Sequence, residues 1–212
     1  MNLLKELNLK PGIIYETICG TYNPDGTPNL APMGVRLGQG LILFPYVTTQ
    51  TSKNIKITRA CSINFSDNAW IFTWACINGA EEKKMLMQCL RSGRKINCPV
   101  LYDAIALVEC QIDRIETSQD KTRDLVFCKP VYVEVKRKFV PYTRAFSLLI
   151  EMLIHASRIR PFEALEDQNK VFMLKKEIKK YAQIIQRVAS TEYPAIVDYI
   201  LKKVGLENAG ES

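Results

Sequence analysis

The spacing of apolar residues changes near Pro141, and this change constrains the fold more than any other feature of the sequence. Before it, short runs rich in β-branched and aromatic residues alternate with turn residues. After it, apolar residues recur every three or four positions, which is the period of a helix with one buried face. The pattern therefore predicts an α+β protein with a first domain over residues 1–140 and a helical domain over residues 141–212.

The first domain should consist mainly of strands. Residues 13–22 and 29–37 flank the run Asn23-Pro24-Asp25-Gly26, whose residue types favour a tight turn, so the two segments should form a hairpin. Residues 41–44 are apolar on both faces, as in a strand buried between layers. Further strands are predicted at residues 61–66, 70–75, 104–116 and 124–136.

Helices are predicted at one place inside the β region and throughout the second domain. A helix over residues 51–60 opens with hydroxyl residues that can cap it, while residues 80–98 leave helix and loop both open. Thr143 should cap a helix that reaches residue 156 or 158, with Pro161 marking its end or the start of a turn. Two more helices are predicted over residues 171–188 and from about 191 to 203.

The charge of +7 raises the question of nucleic acid, and its distribution answers it. Residues 1–141 hold 18 basic and 13 acidic side chains, and residues 142–212 hold 11 and 9, so the surplus is spread along the chain. This pattern disfavours a nucleic-acid-binding protein, which would need a basic face or stripe. The longest apolar stretch, residues 145–156, is too short to span a membrane, and no secretory signal opens the sequence, so we expect a cytoplasmic protein.

Cysteine and histidine provide no recognisable catalytic or metal site. The seven cysteines form no C-x-x-C pair, so we predict reduced thiols, several of them in the core, and no metal site. His155 lies in an apolar helical run, where a packed histidine is a more ordinary role than a general base. A cysteine–histidine nucleophile pair stays open, but no local signature supports one, and the catalytic residues are unknown.

Two neighbouring segments carry the chemical signal. Residues 30–36 place a glycine between apolar residues of a predicted strand, where a flat ligand could approach the backbone. Residues 46–54 place four threonine and serine hydroxyl groups, one ammonium and two side-chain amides at the start of a helix, which favours an anion. A β-bulge and an ordinary helix cap are the alternative interpretations. Together, the segments indicate a flat phosphorylated ligand.

Several segments resemble a mostly archaeal family of proteins of unassigned function. The resemblance is carried by residues 14–18, residues 23–35 and Thr51-Ser52-Lys53-Asn54, with further matches at Asp103-Ala104, Glu109-Cys110 and residues 150–158. The family resembles flavin reductases and pyridoxamine-phosphate-oxidase-like proteins. The resemblance implies a split β-barrel, mainly antiparallel and Greek-key-like, followed by a small helical bundle. It also implies a homodimer with FMN near the subunit interface.

The resemblance also implies which residues contact FMN. The isoalloxazine would be lined, largely through the backbone, by Met33, Gly34, Val35 and Arg36. The ribityl phosphate would be held by Thr48, Thr51, Lys53 and Asn54, with Asn64 on the next strand as a further candidate. Arg36 and Lys53 would be the cationic partners of the phosphate. Ser52 stands where some members of the wider superfamily have an aromatic residue.

Three functions follow as hypotheses. The first is an FMN-dependent oxidoreductase with a small-molecule electron donor or acceptor, in which the flavin carries the redox chemistry. The second is a non-catalytic protein that binds or carries flavin. The third is a basic module without a cofactor that interacts with nucleic acid or protein.

Overall fold

The computed structural model describes residues 4–206 and divides them into two compact units. The first unit contains Tyr15–Tyr142 together with the N-terminal residues through Pro11, where Lys5–Leu7 form a short 3-10 helix. The second unit contains Gly12–Ile14 and the chain from Thr143 onward. Each unit has its own buried core and is described separately below.

Six antiparallel strands close into a barrel in the order β1-β2-β3-β8-β7-β4, and two more form a separate hairpin. Within residues 4–206 the eight strands are β1 (Ile14–Tyr22), β2 (Pro28–Leu37), β3 (Leu41–Leu43), β4 (Ala60–Phe65), β5 (Leu90–Ser92), β6 (Pro99–Leu101), β7 (Ala106–Thr117) and β8 (Asp124–Val135). Three helices connect them: α1 (Gln50–Thr58), α2 (Ala69–Ile77) and α3 (Ala80–Met87). The predicted α+β fold, an antiparallel barrel followed by helices, is confirmed.

Four cysteines meet in the interior of the barrel. Cys61 on β4 is paired in register with Cys110 on β7, and Cys19 and Cys128 are its other thiol neighbours. The neighbouring thiols and burial away from water raise the pKa of Cys19, Cys110 and Cys128. All four side chains are buried and all are free thiols. They fill the interior as small apolar side chains.

The predicted strand over residues 70–75 is wrong, because this segment forms helix α2. Asn68 caps the helix by accepting a hydrogen bond from the backbone N–H of Trp70 at 2.9 Å. Ile71 and Ala75, four positions apart, are buried in a core cluster with Ile18 of β1. The run is apolar on nearly every side, so strand and helix periods cannot be distinguished in it, and packing outside the barrel determines the outcome.

Residues 80–98, which the sequence left open, form helix α3 and the first strand and loop of the β5–β6 hairpin. Buried polar groups attach this hairpin to the outside of the barrel. Ser62 of β4 donates a hydrogen bond to the carbonyl of Pro99 at 2.5 Å. The Glu109 carboxylate of β7 accepts hydrogen bonds from the backbone amides of Arg94, Lys95 and Ile96 at 2.6, 2.7 and 3.0 Å. Glu109 is fully buried, because the hairpin covers the face of β7 on which it lies.

The second unit contains three packed helices: α4 (Arg144–Ala164), α5 (Gln168–Val188) and α6 (Tyr193–Lys203). Thr143 caps α4 as predicted, and its side chain accepts a hydrogen bond from the backbone N–H of Ala145 at 3.3 Å. Pro161 does not end α4, which continues for three more residues. Proline is tolerated there because its missing N–H removes only one bond from the last turn. The Nδ1 atom of His155 lies 2.8 Å from the backbone carbonyl oxygen of Glu151, and its ring meets Tyr181 edge-on at a centroid distance of 5.4 Å.

Glu109→Gln should destabilise the first unit by about 1–3 kcal/mol, since an amide NH₂ would then face backbone N–H donors in a buried site. Unfolding in urea measures the change. The matched control is Glu116→Gln on the same strand, where the side chain is exposed and the effect should stay within about 0.5 kcal/mol. Equal stability of Glu109→Gln and the unmodified protein would contradict this role.

Candidate functional site

The amino terminus of helix α1 carries hydrogen-bond donors that the fold does not use. Thr49 caps the helix, and its hydroxyl accepts a bond from the amide of Ser52 at 3.3 Å. The backbone amides of Gln50 and Thr51 have no acceptor among residues 4–206. These free amides and the helix dipole together favour an anion at this end of α1.

The loop that precedes α1 is held against the start of β8. The guanidinium of Arg123 lies 4.1 Å from the ring centroid of Tyr46 and donates a hydrogen bond to the Tyr46 hydroxyl at 2.6 Å. The same two residues form an isolated antiparallel bridge. The Thr49 hydroxyl donates to the carbonyl of Tyr46 at 2.7 Å. The loop therefore reaches the helix in one defined conformation.

A buried carboxylate fixes the direction of α1. Asp124, at the start of β8, accepts hydrogen bonds from Ser52 at 2.5 Å and Thr117 at 3.1 Å, and Lys56 lies 2.6 Å from it. Burial would raise the pKa of Asp124, but the bonds from Lys56, Ser52 and Thr117 outweigh it and hold this pKa below its ordinary value. Two successive turns of α1 are therefore tied to one charge on β8.

Two of the predicted phosphate contacts are available to a ligand. Thr48 and Lys53 are both exposed, one just before α1 and the other in its first turn. The Lys53 ammonium has no ion-pair or hydrogen-bond partner among the described residues. The two free side chains thus stand beside the two free amides of the same helix start.

The side chain of Asn54 is used by the fold instead. The Asn54 amide donates to Thr21 at 3.0 Å and to Asn23 at 2.8 Å, and its oxygen accepts from Gln50 at 2.7 Å. Both donors and one of the two acceptor positions of this buried amide are therefore occupied. Its observed role is to tie α1 to the β1–β2 hairpin.

Thr51 is buried at the same junction. Its hydroxyl accepts a hydrogen bond from the side-chain amide of Asn29 at 3.1 Å, and Asn29 also donates to Thr21 at 3.2 Å. The hydroxyl of Thr51 keeps its own proton to donate, and its backbone amide is free, so Thr51 can still contribute to an anion site.

The structure does not bring Asn64 to the start of α1. Its side chain donates to the carbonyl of Ile18 at 3.0 Å and to Ser62 at 2.8 Å, and it accepts from the amide of Leu101 at 2.9 Å. Asn64 therefore connects β1, β4 and β6. Its predicted place among ligand contacts has no support in this geometry.

Residues Met33–Arg36 form the middle and end of β2, with their side chains on alternating faces. Met33 and Val35 are buried, and the Met33 carbonyl accepts a hydrogen bond from Thr17 at 2.8 Å. Val35 is paired with Leu43, so the positions of Gly34 and Arg36 lie on the other face of the strand. The Arg36 guanidinium lies 5.1 Å from the centroid of Phe44. A glycine on this partly exposed face leaves the backbone open to a flat ligand.

Sequence reasoning missed Asp124 and Asn29, which position the site without facing it. Nothing local marks either residue, because their partners lie far along the chain: Asp124 binds Ser52 across 72 positions and Asn29 binds Thr51 across 22. Among residues 4–206 no group of histidine, cysteine or carboxylate side chains could hold a metal ion. In the same residues, no helix combines the length and the apolar character needed to cross a membrane.

Comparison with known proteins places these features in a family. A family model described as the N-terminal domain of a protein of unknown function, DUF447, matches residues 15–137, and its C-terminal counterpart matches residues 143–202. An FMN-bound protein of the same family from Methanosarcina mazei has a TM-score of 0.55 and 17% identity, with 95% of this chain and 99% of that chain covered. No curated protein matches the chain by sequence.

Two further solved structures share the fold. The flavin reductase HpaC, in complex with NADP+, has a TM-score of 0.52 and 18% identity over 68% of this chain and 94% of its own. A flavoredoxin from Methanosarcina acetivorans has a TM-score of 0.51 and 16% identity over 63% of this chain and 74% of its own. At these identities the similarity concerns the fold.

Asp124→Asn should destabilise the protein by about 2 kcal/mol at pH 7, because it replaces the charge that accepts three hydrogen bonds. The folded-state pKa of Asp124 lies below its unfolded value, so its stabilisation is present above about pH 4 and is lost as pH falls through the folded-state pKa. Urea unfolding from pH 7 down to pH 3 should show the gap between the two proteins closing.

The control for this prediction is Asp113→Asn, an exposed acidic residue on β7, which should change stability by less than about 0.5 kcal/mol. A gap between Asp124→Asn and the unmodified protein that stays constant across the pH range would show that the charge of Asp124 is not what stabilises α1.

Proposed function

This chain belongs to the DUF447 family, and on that premise we propose that it binds FMN and acts as an FMN-dependent oxidoreductase. The observation that carries the proposal is the start of helix α1, where free backbone amides and a free ammonium lie close to the start of β2, to which Thr51 is joined by its hydrogen bond with Asn29. A phosphate and a flat ring are the two parts of FMN that such neighbouring surfaces would accept.

The phosphate fits the donors that the fold leaves free. A phosphate monoester carries nearly two negative charges at pH 7 and accepts several charge-assisted hydrogen bonds. We assign it to the amides of Gln50 and Thr51, the hydroxyls of Thr48 and Thr51 and the ammonium of Lys53. Asn54 would act indirectly, by holding α1 against the β1–β2 hairpin.

The isoalloxazine would lie along Met33–Arg36 of β2. Gly34 would let the ring approach the backbone, and Arg36 would face its polar edge or the phosphate as a cation. FMN supplies the electron transfer when bound, whereas the residues of this chain orient the ring and limit the access of water. None of the described side chains stands out as an acid, base or nucleophile, so their contribution is placement.

Assembly and partners form part of the same proposal. We propose two domains, residues 1–140 and 141–212, and a homodimer with FMN near the subunit interface. The Methanosarcina mazei protein of this family, which is FMN-bound, supports the cofactor, and the flavin reductase with NADP+ supports a nicotinamide as electron donor. The seven free thiols support a reducing environment such as the cytoplasm.

Lys53→Ala should weaken FMN binding by about 10- to 100-fold, because the phosphate loses a charge-assisted hydrogen bond worth about 1.5–3 kcal/mol. Quenching of flavin fluorescence during titration of the protein gives the dissociation constant. Riboflavin, which lacks the phosphate, should bind Lys53→Ala and the unmodified protein equally. Lys179→Ala, an exposed lysine on α5, is the control for a general loss of positive charge.

Two results would overturn the assignment. One is a protein that binds no FMN at all. The other is a Lys53→Ala variant that loses affinity for FMN and riboflavin to the same extent, which would place Lys53 away from the phosphate.

Rapid mixing of the FMN-loaded protein with NADH and with NADPH tests the oxidoreductase activity. Bleaching of the flavin absorbance is expected with one of the two donors, at a rate that rises with its concentration. If neither donor bleaches the flavin although dithionite does, the protein is a carrier of flavin or electrons rather than an oxidoreductase using nicotinamides.

A further inference from the structure

Two adjoining cavities lie beside the β1–β2 hairpin and helix α3, within the first unit. Their volumes are about 500 and 280 Å³. They share four lining residues, which are Asn23, Pro28, Asn78 and Lys83. The two cavities therefore form one continuous groove, the α3 groove. The larger cavity alone is within the range of volumes that hold small organic ligands.

The larger cavity begins at the proposed phosphate site. Gln50, whose backbone amide is one of the free amides of α1, lines this cavity. Asn29 lines it as well and donates the 3.1 Å hydrogen bond to Thr51. The groove thus lies at the start of β2, whereas the segment proposed to face the flavin ring forms the middle and end of that strand. A ligand that continues beyond the phosphate, away from the ring, would enter the groove.

Polar groups that the fold leaves free line the larger cavity. The ammonium of Lys83, in the first turn of α3, and the side-chain amide of Asn78 have no hydrogen-bond or ion-pair partner among residues 4–206. Asp25 is the carboxylate of this wall, and its Oδ1 atom accepts hydrogen bonds from the amide and hydroxyl of Thr27 at 2.9 and 2.6 Å. A phosphate would accept bonds from the ammonium and the amide, and ribose hydroxyls would donate to the carboxylate.

The smaller cavity has an apolar wall. Its apolar members are Pro28 and Leu30 of β2, Leu86 and Met87 of α3, and Leu90 of β5. Leu30 and Leu86 are buried in one core cluster, which holds α3 against β2. Aliphatic side chains on both sides of a slot suit a flat base, because they cover its ring faces and leave its polar edge toward solvent.

We propose that the α3 groove binds an adenosine phosphate, and that the flavin of this chain is therefore FAD, whose FMN part occupies the proposed site. The inference rests on the proposed function for the position of the flavin phosphate. The adenine would lie in the smaller cavity against Met87 and Leu90. The adenylate phosphate and ribose would lie in the larger cavity beside Lys83, Asn78 and Asp25.

Calorimetric titration of the flavin-free protein with FAD, FMN and riboflavin tests the inference. FAD should bind at least about fivefold tighter than FMN. Lys83→Ala should weaken FAD binding about 5- to 20-fold, because the adenylate phosphate loses a charge-assisted hydrogen bond, and should change FMN and riboflavin binding less than about twofold. Lys84→Ala, the neighbouring exposed lysine outside the groove, is the matched control and should leave all three affinities unchanged.

A second pair of variants tests the apolar end of the groove. Met87→Glu places a carboxylate where the adenine is assigned and should weaken FAD binding at least about tenfold, without an effect on FMN or riboflavin. Met85→Glu is the matched control, since Met85 is also an exposed methionine of α3 but lies outside the groove. Its affinity for FAD should equal that of the unmodified protein.

Three results would overturn the inference while leaving FMN binding intact. They are an FAD affinity equal to or below that for FMN, an FAD affinity that Lys83→Ala or Met87→Glu leaves unchanged, and a loss of FAD affinity in the control variants as large as in these two. A protein that binds none of the three flavins would reject the proposed function together with the inference.

Titration of the FMN-loaded protein with NADH distinguishes another source of the same adenosine phosphate. If Lys83→Ala and Met87→Glu weaken the binding of NADH and not that of FAD, the groove holds the adenylate of a nicotinamide dinucleotide, and the assignment to FAD is wrong. NADH binding that is equal in both variants and the unmodified protein is the expected result.

Discussion

Asp124 accepts hydrogen bonds from two elements of the barrel domain, and the direction of helix α1 depends on them. Ser52 and Lys56 lie one turn apart on α1, so contact of both with the same carboxylate fixes the rotation of the helix as well as its distance from β8. An anion site at a helix start needs the helix axis held in one direction, because the free amides point along that axis. The charge of Asp124 thus positions the site without facing it.

Buried polar side chains attach the other peripheral segments in the same way. Glu109 binds three successive amides of the loop between β5 and β6, and Asn64 binds the amide of Leu101 in the same hairpin. Asn54 ties α1 to the β1–β2 hairpin. Each group is costly to bury unless it is bonded, and within the described residues no buried side-chain donor or acceptor is left without a partner. These contacts specify where each segment lies against the barrel.

The local part of this architecture could be predicted from sequence. The turn at residues 23–26, the cap at Thr143 and the helix start near Thr51 follow from residue types within a few positions. The helix at α2 could not, since its apolar residues fit either period and its partner Ile18 is distant in sequence. The predicted site residues fall into the same two groups, those identifiable from local sequence and those whose role depends on distant residues. Thr48 and Lys53 could be identified as exposed donors, but the use of Asn54 and Asn64 by the fold depends on residues 31 to 46 positions away.

The four thiols inside the barrel have a practical consequence. Cys19, Cys61, Cys110 and Cys128 are shielded from solvent while the strands stay paired, whereas Cys76 is exposed. An alkylating reagent would modify Cys76 at once, and would modify the interior thiols only during moments when strands separate. The rate at which the interior cysteines are alkylated, followed by mass spectrometry, would then measure how often the barrel opens. This measurement needs no engineered probe, because the four cysteines are already present in the barrel.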